Sequence, residues 1–182
     1  MSRTNVRLSG FGGQGIILAG VTLARAAVEH DGINAAQTQS YGAESRGGAC
    51  MANVVLADVK IEYPMPEKLD VLVAMSQSAL DQHLGDLVPE GTLIVDSDTV
   101  ASVPDRPSGA VYRIPATRIA TETLGQRMVA NMVMLGATAR LTGAVSIDGV
   151  IAAMEAGVPE RTVDVNRKAI EAGVALAEEL VG

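Results

Sequence analysis

Along the chain, apolar and polar positions alternate first with the period of a strand and later with that of a helix. Residues 5–9 (NVRLS) alternate and predict a first strand. Residues 16–29 are apolar around most of the circumference, with Ala19, Gly20, Ala24, Ala26 and Ala27 as small contacts, which predicts a helix buried on more than one side. Asp31-Gly32 stops it. Residues 33–38 (INAAQT) predict a second strand, followed by a polar loop over 39–48, and residues 50–56 (CMANVVL) predict a third. Residues 61–63 are expected to extend that strand before Pro64 and Pro66 break the pattern.

The continuous apolar runs 70–75 (DVLVAM) and 92–96 (TLIVD) have the pattern of parallel strands covered on both faces. Between them Ser76 caps a helix over 77–84. Residues 111–114 (VYRI) are the last expected strand, reached through the Pro- and Gly-bearing connection 100–109. Beyond Pro115 the chain reads as helical, over 117–124, 127–141, 146–156 and 160–180. In the last helix Val163, Ile170, Val174, Ala177 and Val181 form one apolar stripe. The expected fold is one α/β Rossmann-like domain over 1–182, a mostly parallel sheet with helices on both faces and a helical C-terminal portion.

Composition narrows this picture. The chain has 182 residues, enough for one sizeable core, and that core must be aliphatic because there are no Trp, one Phe and three Tyr. A net charge of −7 without a basic patch argues against nucleic acid. The single Cys50 leaves no internal disulfide, no four-thiolate zinc site and no iron–sulfur cluster ligated by this chain alone. Residues 1–10 lack an apolar signal region, and the run 16–28 is too short and interrupted to span a bilayer, so the expectation is a cytoplasmic protein without membrane contact.

The candidate chemistry begins at 9–20, SGFGGQGIILAG. Gly10, Gly12 and Gly15 spell G-x-G-x-x-G between a strand and a helix, the fingerprint of dinucleotide binding. A helix N-terminus there favours an anion such as phosphate. Gly10 is expected to allow the tight turn, Gly12 a close ligand approach and Gly15 the packing of helix on strand, with Gln14 polar at the mouth. The second half of the fingerprint is missing: Gln37, Thr38 and Gln39 stand where an acid would hold the ribose, and no Walker motif is present.

The second polar stretch is 40–48, SYGAESRGG. If the sheet is parallel there, this loop leaves the second strand at the same edge as the glycine turn, which brings Tyr41, Glu44 and Arg46 near the helix N-terminus, and Arg46 offers a planar fork to a phosphate or carboxylate. Gly42, Gly47 and Gly48 point to close backbone approach, while a local Glu44–Arg46 ion pair is the simpler reading. Cys50 reads as a buried structural thiol, His30 and His83 as solvated helix-end residues, and Met128, Met132 and Met134 as core or interface filling. Asp96 and Asp98 read as turn formers.

GFGGQG, then SYGAESRGG, then 131–136 (NMVMLG) in the helical tail make nearly the whole chain resemble the gamma subunit of 2-oxoacid:ferredoxin oxidoreductases. The resemblance implies a thiamine diphosphate-dependent oxidative decarboxylation of a 2-oxoacid, 2-oxoglutarate as first choice, to an acyl-CoA with reduction of ferredoxin. It implies that thiamine diphosphate, Mg and iron–sulfur clusters belong to partner subunits, the alpha, beta and ferredoxin-like chains, with self-association of this chain as a further option. It carries coenzyme A contact onto Gly10, Gly12, Gly13, Gln14, Gly15, Tyr41, Glu44, Arg46, Gly47, Gly48 and Asn131, with no catalytic and no metal-binding residue. For Asn131 a loop-bracing role stands beside ligand contact. The smaller subunit of an indolepyruvate oxidoreductase and a free-standing dinucleotide-binding oxidoreductase are the alternatives.

Overall fold

The computed structural model describes residues 3–41, 48–105 and 108–182. A six-stranded sheet runs in the order β2-β3-β1-β4-β5-β6, from β1 (Thr4–Phe11), β2 (Asn34–Tyr41), β3 (Ala49–Ala57), β4 (Leu69–Ala74), β5 (Leu87–Asp96) and β6 (Val111–Ile114). The ladders β1–β4, β4–β5 and β5–β6 are parallel; β3 is antiparallel to both β1 and β2. β1 and β2 therefore run in the same direction with β3 between them, and both end at one edge of the sheet.

The helices are α1 (Ile16–Arg25), α2 (Gln77–His83), α3 (Ala116–Arg118), α4 (Ala130–Thr142), α5 (Ile147–Gly157) and α6 (Glu160–Val181). α1 runs on through a wide helical turn to His30, close to the expected end. Ser76 and Ser146 cap α2 and α5, their hydroxyls accepting from the Ala79 and Gly149 N–H groups. Among the described residues no helix is long and apolar enough to cross a membrane.

Alternation along the strands separates two apolar clusters. Val6, Leu8, Ala52, Val54, Val71, Val73 and Ile94 join α1, α4, α5 and α6 in the larger one. Leu72, Ala74, Leu93 and Val95 face the other way and pack with Leu80 of α2. Helices thus cover both faces, unequally.

Three boundaries differ from the pattern reading. Residues 61–63 form no strand; the prolines that follow and the exposed Glu62 and Tyr63 leave that segment without an apolar side to bury. β5 starts at Leu87, ahead of Thr92, because Leu87 pairs with Leu69 across a register shift that admits Pro89 and Gly91. β2 reaches Tyr41 rather than stopping at Thr38, since the antiparallel partner β3 continues to satisfy its backbone.

Candidate functional site

The glycine turn lies at the switch point of the sheet. β1 is followed by α1 on the larger-cluster face and its parallel neighbour β4 by α2 on the other, an arrangement that opens a crevice beyond the strand ends where dinucleotides bind. Here the Gln14 amide bridges it. Its Oε1 accepts from the Phe11 N–H at 2.6 Å and its Nε2 donates to the Met75 carbonyl at 2.9 Å, tying the turn to the end of β4. Gly10 is glycine because a Cβ there would collide with that Gln14 amide oxygen. The turn's own geometry comes from Gly13 and Gly15, with φ of 94° and 73°.

Gly15 does not serve helix-on-strand packing, as expected from the fingerprint. A Cβ on it would strike the Asn131 amide, whose Nδ2 donates to the Gly15 carbonyl at 3.0 Å. The close approach of α1 to the sheet falls at Gly20, against Ala52 of β3. Asn131 lies in the first turn of α4, which is buried from Ala130 to Ala139, and its Oδ1 is buried without a hydrogen-bond partner among the described residues. Such an orphan acceptor costs about 1–3 kcal/mol unless something donates to it.

Beside this brace an open cavity of about 480 Å³ lies between the glycine turn, the start of α6 and the residues before α4. Phe11, Gly12, Ile17, Cys50 and Asn131 line it, together with Met128, which is 78% exposed. The three methionines therefore divide: Met132 and Met134 are core, Met128 stands at the rim. Phe11 and Leu18, both exposed, extend that apolar rim.

The second motif reaches the same edge. Tyr41 is paired in register with Cys50, Cys50 with Gly10, and the Gly12 N–H donates to the Gly48 carbonyl at 3.0 Å. Gly42, Glu44, Arg46 and Gly47 lie outside the described residues. Burial pushes the Cys50 thiol above its ordinary value.

On the other side of the turn, Asp96 ends β5 fully buried. Its Oδ1 accepts from the Asp98 and Thr117 N–H groups and its Oδ2 from the Thr117 hydroxyl at 2.6 Å, while Asp98 accepts from the Arg118 N–H. Burial pushes the Asp96 carboxyl above its ordinary value; the hydrogen bonds pull it back. These two residues form a turn, as their sequence pattern indicates, and hold α3 against the sheet. Among the described residues no cluster of His, Cys, Asp or Glu could hold a metal ion.

His30 is exposed, but His83 is not solvated. It packs against Arg7 on the second face of the sheet, with its Nδ1 3.3 Å from the guanidinium. No local pattern marks Arg7 as buried, because an alternating strand reads the same whether its polar face meets water or an Asp86 carboxylate.

Residues 5–176 match the family described as pyruvate ferredoxin/flavodoxin oxidoreductase. The chain is 47% identical over 183 residues to the 2-oxoglutarate synthase subunit KorC of Methanothermobacter marburgensis, covering 97% of this chain and 98% of that protein. The crystal structure of a keto/oxoacid ferredoxin oxidoreductase gamma subunit from Geobacter sulfurreducens superposes with a TM-score of 0.86 at 40% identity, over 97% of this chain and 99% of that one. A 2-oxoglutarate:ferredoxin oxidoreductase from Magnetococcus marinus, solved with 2-oxoglutarate, coenzyme A and succinyl-CoA bound, matches with a TM-score of 0.84 at 26% identity. That match covers 98% of this chain and 32% of the larger one.

Proposed function

This chain belongs to the pyruvate ferredoxin/flavodoxin oxidoreductase family as a gamma subunit of a 2-oxoacid:ferredoxin oxidoreductase, and we propose that its complex converts 2-oxoglutarate and coenzyme A to succinyl-CoA and carbon dioxide. The electrons pass to ferredoxin. The observation that carries the choice of oxoacid is the 47% identity, over nearly the whole of both chains, to a subunit named for 2-oxoglutarate. The oxidation itself belongs to partner subunits: the single Cys50 is too few thiolates to ligate an iron–sulfur cluster. Alpha, beta and ferredoxin-like chains would carry thiamine diphosphate, Mg and the iron–sulfur clusters, in a reducing cytoplasm.

The gamma chain, in this reading, supplies one wall of the coenzyme A site. Coenzyme A contributes the thiol that accepts the acyl group. The N-terminus of α1 behind Gly13 and Gly15 suits its phosphates, and Arg46, carried over from the sequence resemblance, would add a charge-assisted bond to them. The unpartnered Asn131 Oδ1 beside the apolar cavity suits an amide N–H donor, and that orphan acceptor is the observation in this structure that fits the ligand. Gln14 and Asn131 act mainly by positioning, because Gln14 spends both ends of its amide on backbone and Asn131 spends its Nδ2 on Gly15. The exposed Phe11, Leu18 and Met128 around the cavity suit burial against a partner subunit.

The test uses the reconstituted complex. Losing a charge-assisted bond to phosphate in Arg46→Ala is expected to raise KM for coenzyme A by about 10- to 100-fold with normal assembly. An unchanged KM in an intact complex removes the coenzyme A wall. Turnover with pyruvate as efficient as with 2-oxoglutarate overturns the choice of substrate.

A further inference from the structure

Three polar side chains reach the cavity of about 480 Å³ from its helical wall, Asn131 of α4 and Thr162 and Asn166 of α6. Each has spent its donor. Asn131 Nδ2 donates to the Gly15 carbonyl at 3.0 Å, Asn166 Nδ2 to the Thr162 carbonyl at 2.8 Å, and the Thr162 hydroxyl to the Pro159 carbonyl at 2.8 Å. A carbonyl opposite each Nδ2 also fixes which way the amides are turned, since reversing one would set oxygen against oxygen. What is left over on this wall is acceptor alone. Asn131 Oδ1 has no partner, and nothing among the described residues donates to Asn166 Oδ1. The two residues are only 2% and 7% exposed, so the donors they lack inside the chain have to come from whatever fills the cavity.

The adjoining wall has the reverse polarity. There the first N–H groups of α1, behind Gly13 and Gly15, offer donors and the positive end of the helix dipole. The rest of the lining is largely apolar, Ile17, Val129 and Val158 among it. An occupant that matches this order has an anion at one end and then an uncharged chain in which N–H donors alternate with methylenes. A partner subunit's main chain brings N–H groups but no anion fixed ahead of them, and a volume of this size is that of a small-molecule site.

We propose that Asn131 and Asn166 accept from the amide N–H groups of the pantetheine arm of coenzyme A, the phosphate end lying at the N-terminus of α1 and the thiol end leading away from the glycine turn. This arrangement presupposes the coenzyme A wall and adds which part of the molecule that wall holds. The arm is uncharged and carries its two amides on short methylene segments, as acceptors set in an apolar lining require. The adenine edge suits the wall less, because acceptor nitrogens flank its single amino group. Asn166 thereby joins the ligand-contacting residues, although no glycine motif adjoins it in the sequence.

The test uses the reconstituted complex and two analogues of coenzyme A, each with one amide N–H of the arm replaced by CH2. One lost neutral hydrogen bond is expected to raise KM for an analogue about 5- to 10-fold. Asn166→Leu is expected to raise KM for coenzyme A by a similar factor and to add nothing to the KM of the analogue that lacks its donor, because the two losses are one bond. Analogues used as readily as coenzyme A overturn the proposal, and they decide it even if the Asn166→Leu chain fails to assemble. So do losses that multiply in full. An Asn166→Leu chain that assembles weakly but keeps its KM gives the cavity to a partner subunit's main chain and overturns the proposal too. Arg46→Ala separates the two levels: a raised KM there, with both analogues normal, discards the arm and keeps the coenzyme A wall, whereas no effect in any of them discards both.

Discussion

The two faces of the sheet are held by different physics. On the face of α1, α4, α5 and α6, the strand side chains are aliphatic and the helices pack close, α4 and α6 most closely where Gly136 lies under the Ile170 carbonyl and Gly173 under the Val133 carbonyl. On the other, Leu72, Ala74, Leu80 and Val95 make a smaller apolar cluster, and beyond it the face turns polar. There the Arg7 guanidinium donates to Asn53 Oδ1 at 2.7 Å and to Asp86 Oδ2 at 2.5 Å, and Asn53 donates to Thr38. Close aliphatic packing dominates the first face; bond direction sets the second. The glycine turn hangs from the first, through Asn131, so the candidate site depends on packing that is costly to change and insensitive to pH.

The largest effect that would break this contrast is a single methyl group. Gly173→Ala drives a Cβ into the backbone of Val133, which cannot swing aside, and is expected to cost about 3 kcal/mol or more, near 10 °C in thermal midpoint by calorimetry. Gly85→Ala, next to the polar face, meets nothing within 4 Å and has no left-handed backbone; its midpoint should not fall. A similar loss in both variants would show that the faces do not differ.

Removing a polar link comes next. Arg7→Leu leaves Asn53 Oδ1 without its buried donor and is expected to cost about 1–3 kcal/mol in denaturant unfolding. Asp86→Asn should cost under about 1 kcal/mol, because that carboxylate is 44% exposed and its pairing is screened.

The smallest effect is in pH. Burial, and then the Arg7 charge, hold His83 below its ordinary value of 6.5, with Asp86 opposing. The unfolded chain therefore binds a proton that the folded one refuses. Stability from this source is present above about 6.5 and is lost as pH falls through the lowered folded value. His83→Gln should flatten the acid limb of a stability-against-pH curve while leaving the neutral plateau in place. A limb unchanged by the substitution would place the titrating group elsewhere.

Much of the site could be read from local pattern. The strand–glycine–helix junction, the capping Ser76 and the missing acid after INAAQT are all properties of neighbouring residues, so turn chemistry and periodicity expose them. So is the aliphatic core, dictated by a composition with almost no aromatic residues. The shared edge of GFGGQG and SYGAESRGG was expected from a parallel sheet; the pairing there is antiparallel, and the ends of β1 and β2 still share an edge because β3 runs opposite to both.

What only the fold decided are the partnerships between distant positions. Asn131 reaches Gly15 across 116 residues, Arg7 reaches Asp86 across 79, and Gly173 is small because of Val133. Nothing in the periodicity of either partner names the other. Local sequence sets which face of an element is apolar and where it turns, because those follow from steric and hydrogen-bonding preferences over a few residues. Which elements then meet, and which side chain fills the crevice between them, depends on closing long loops around one common core, and only the assembled packing selects that.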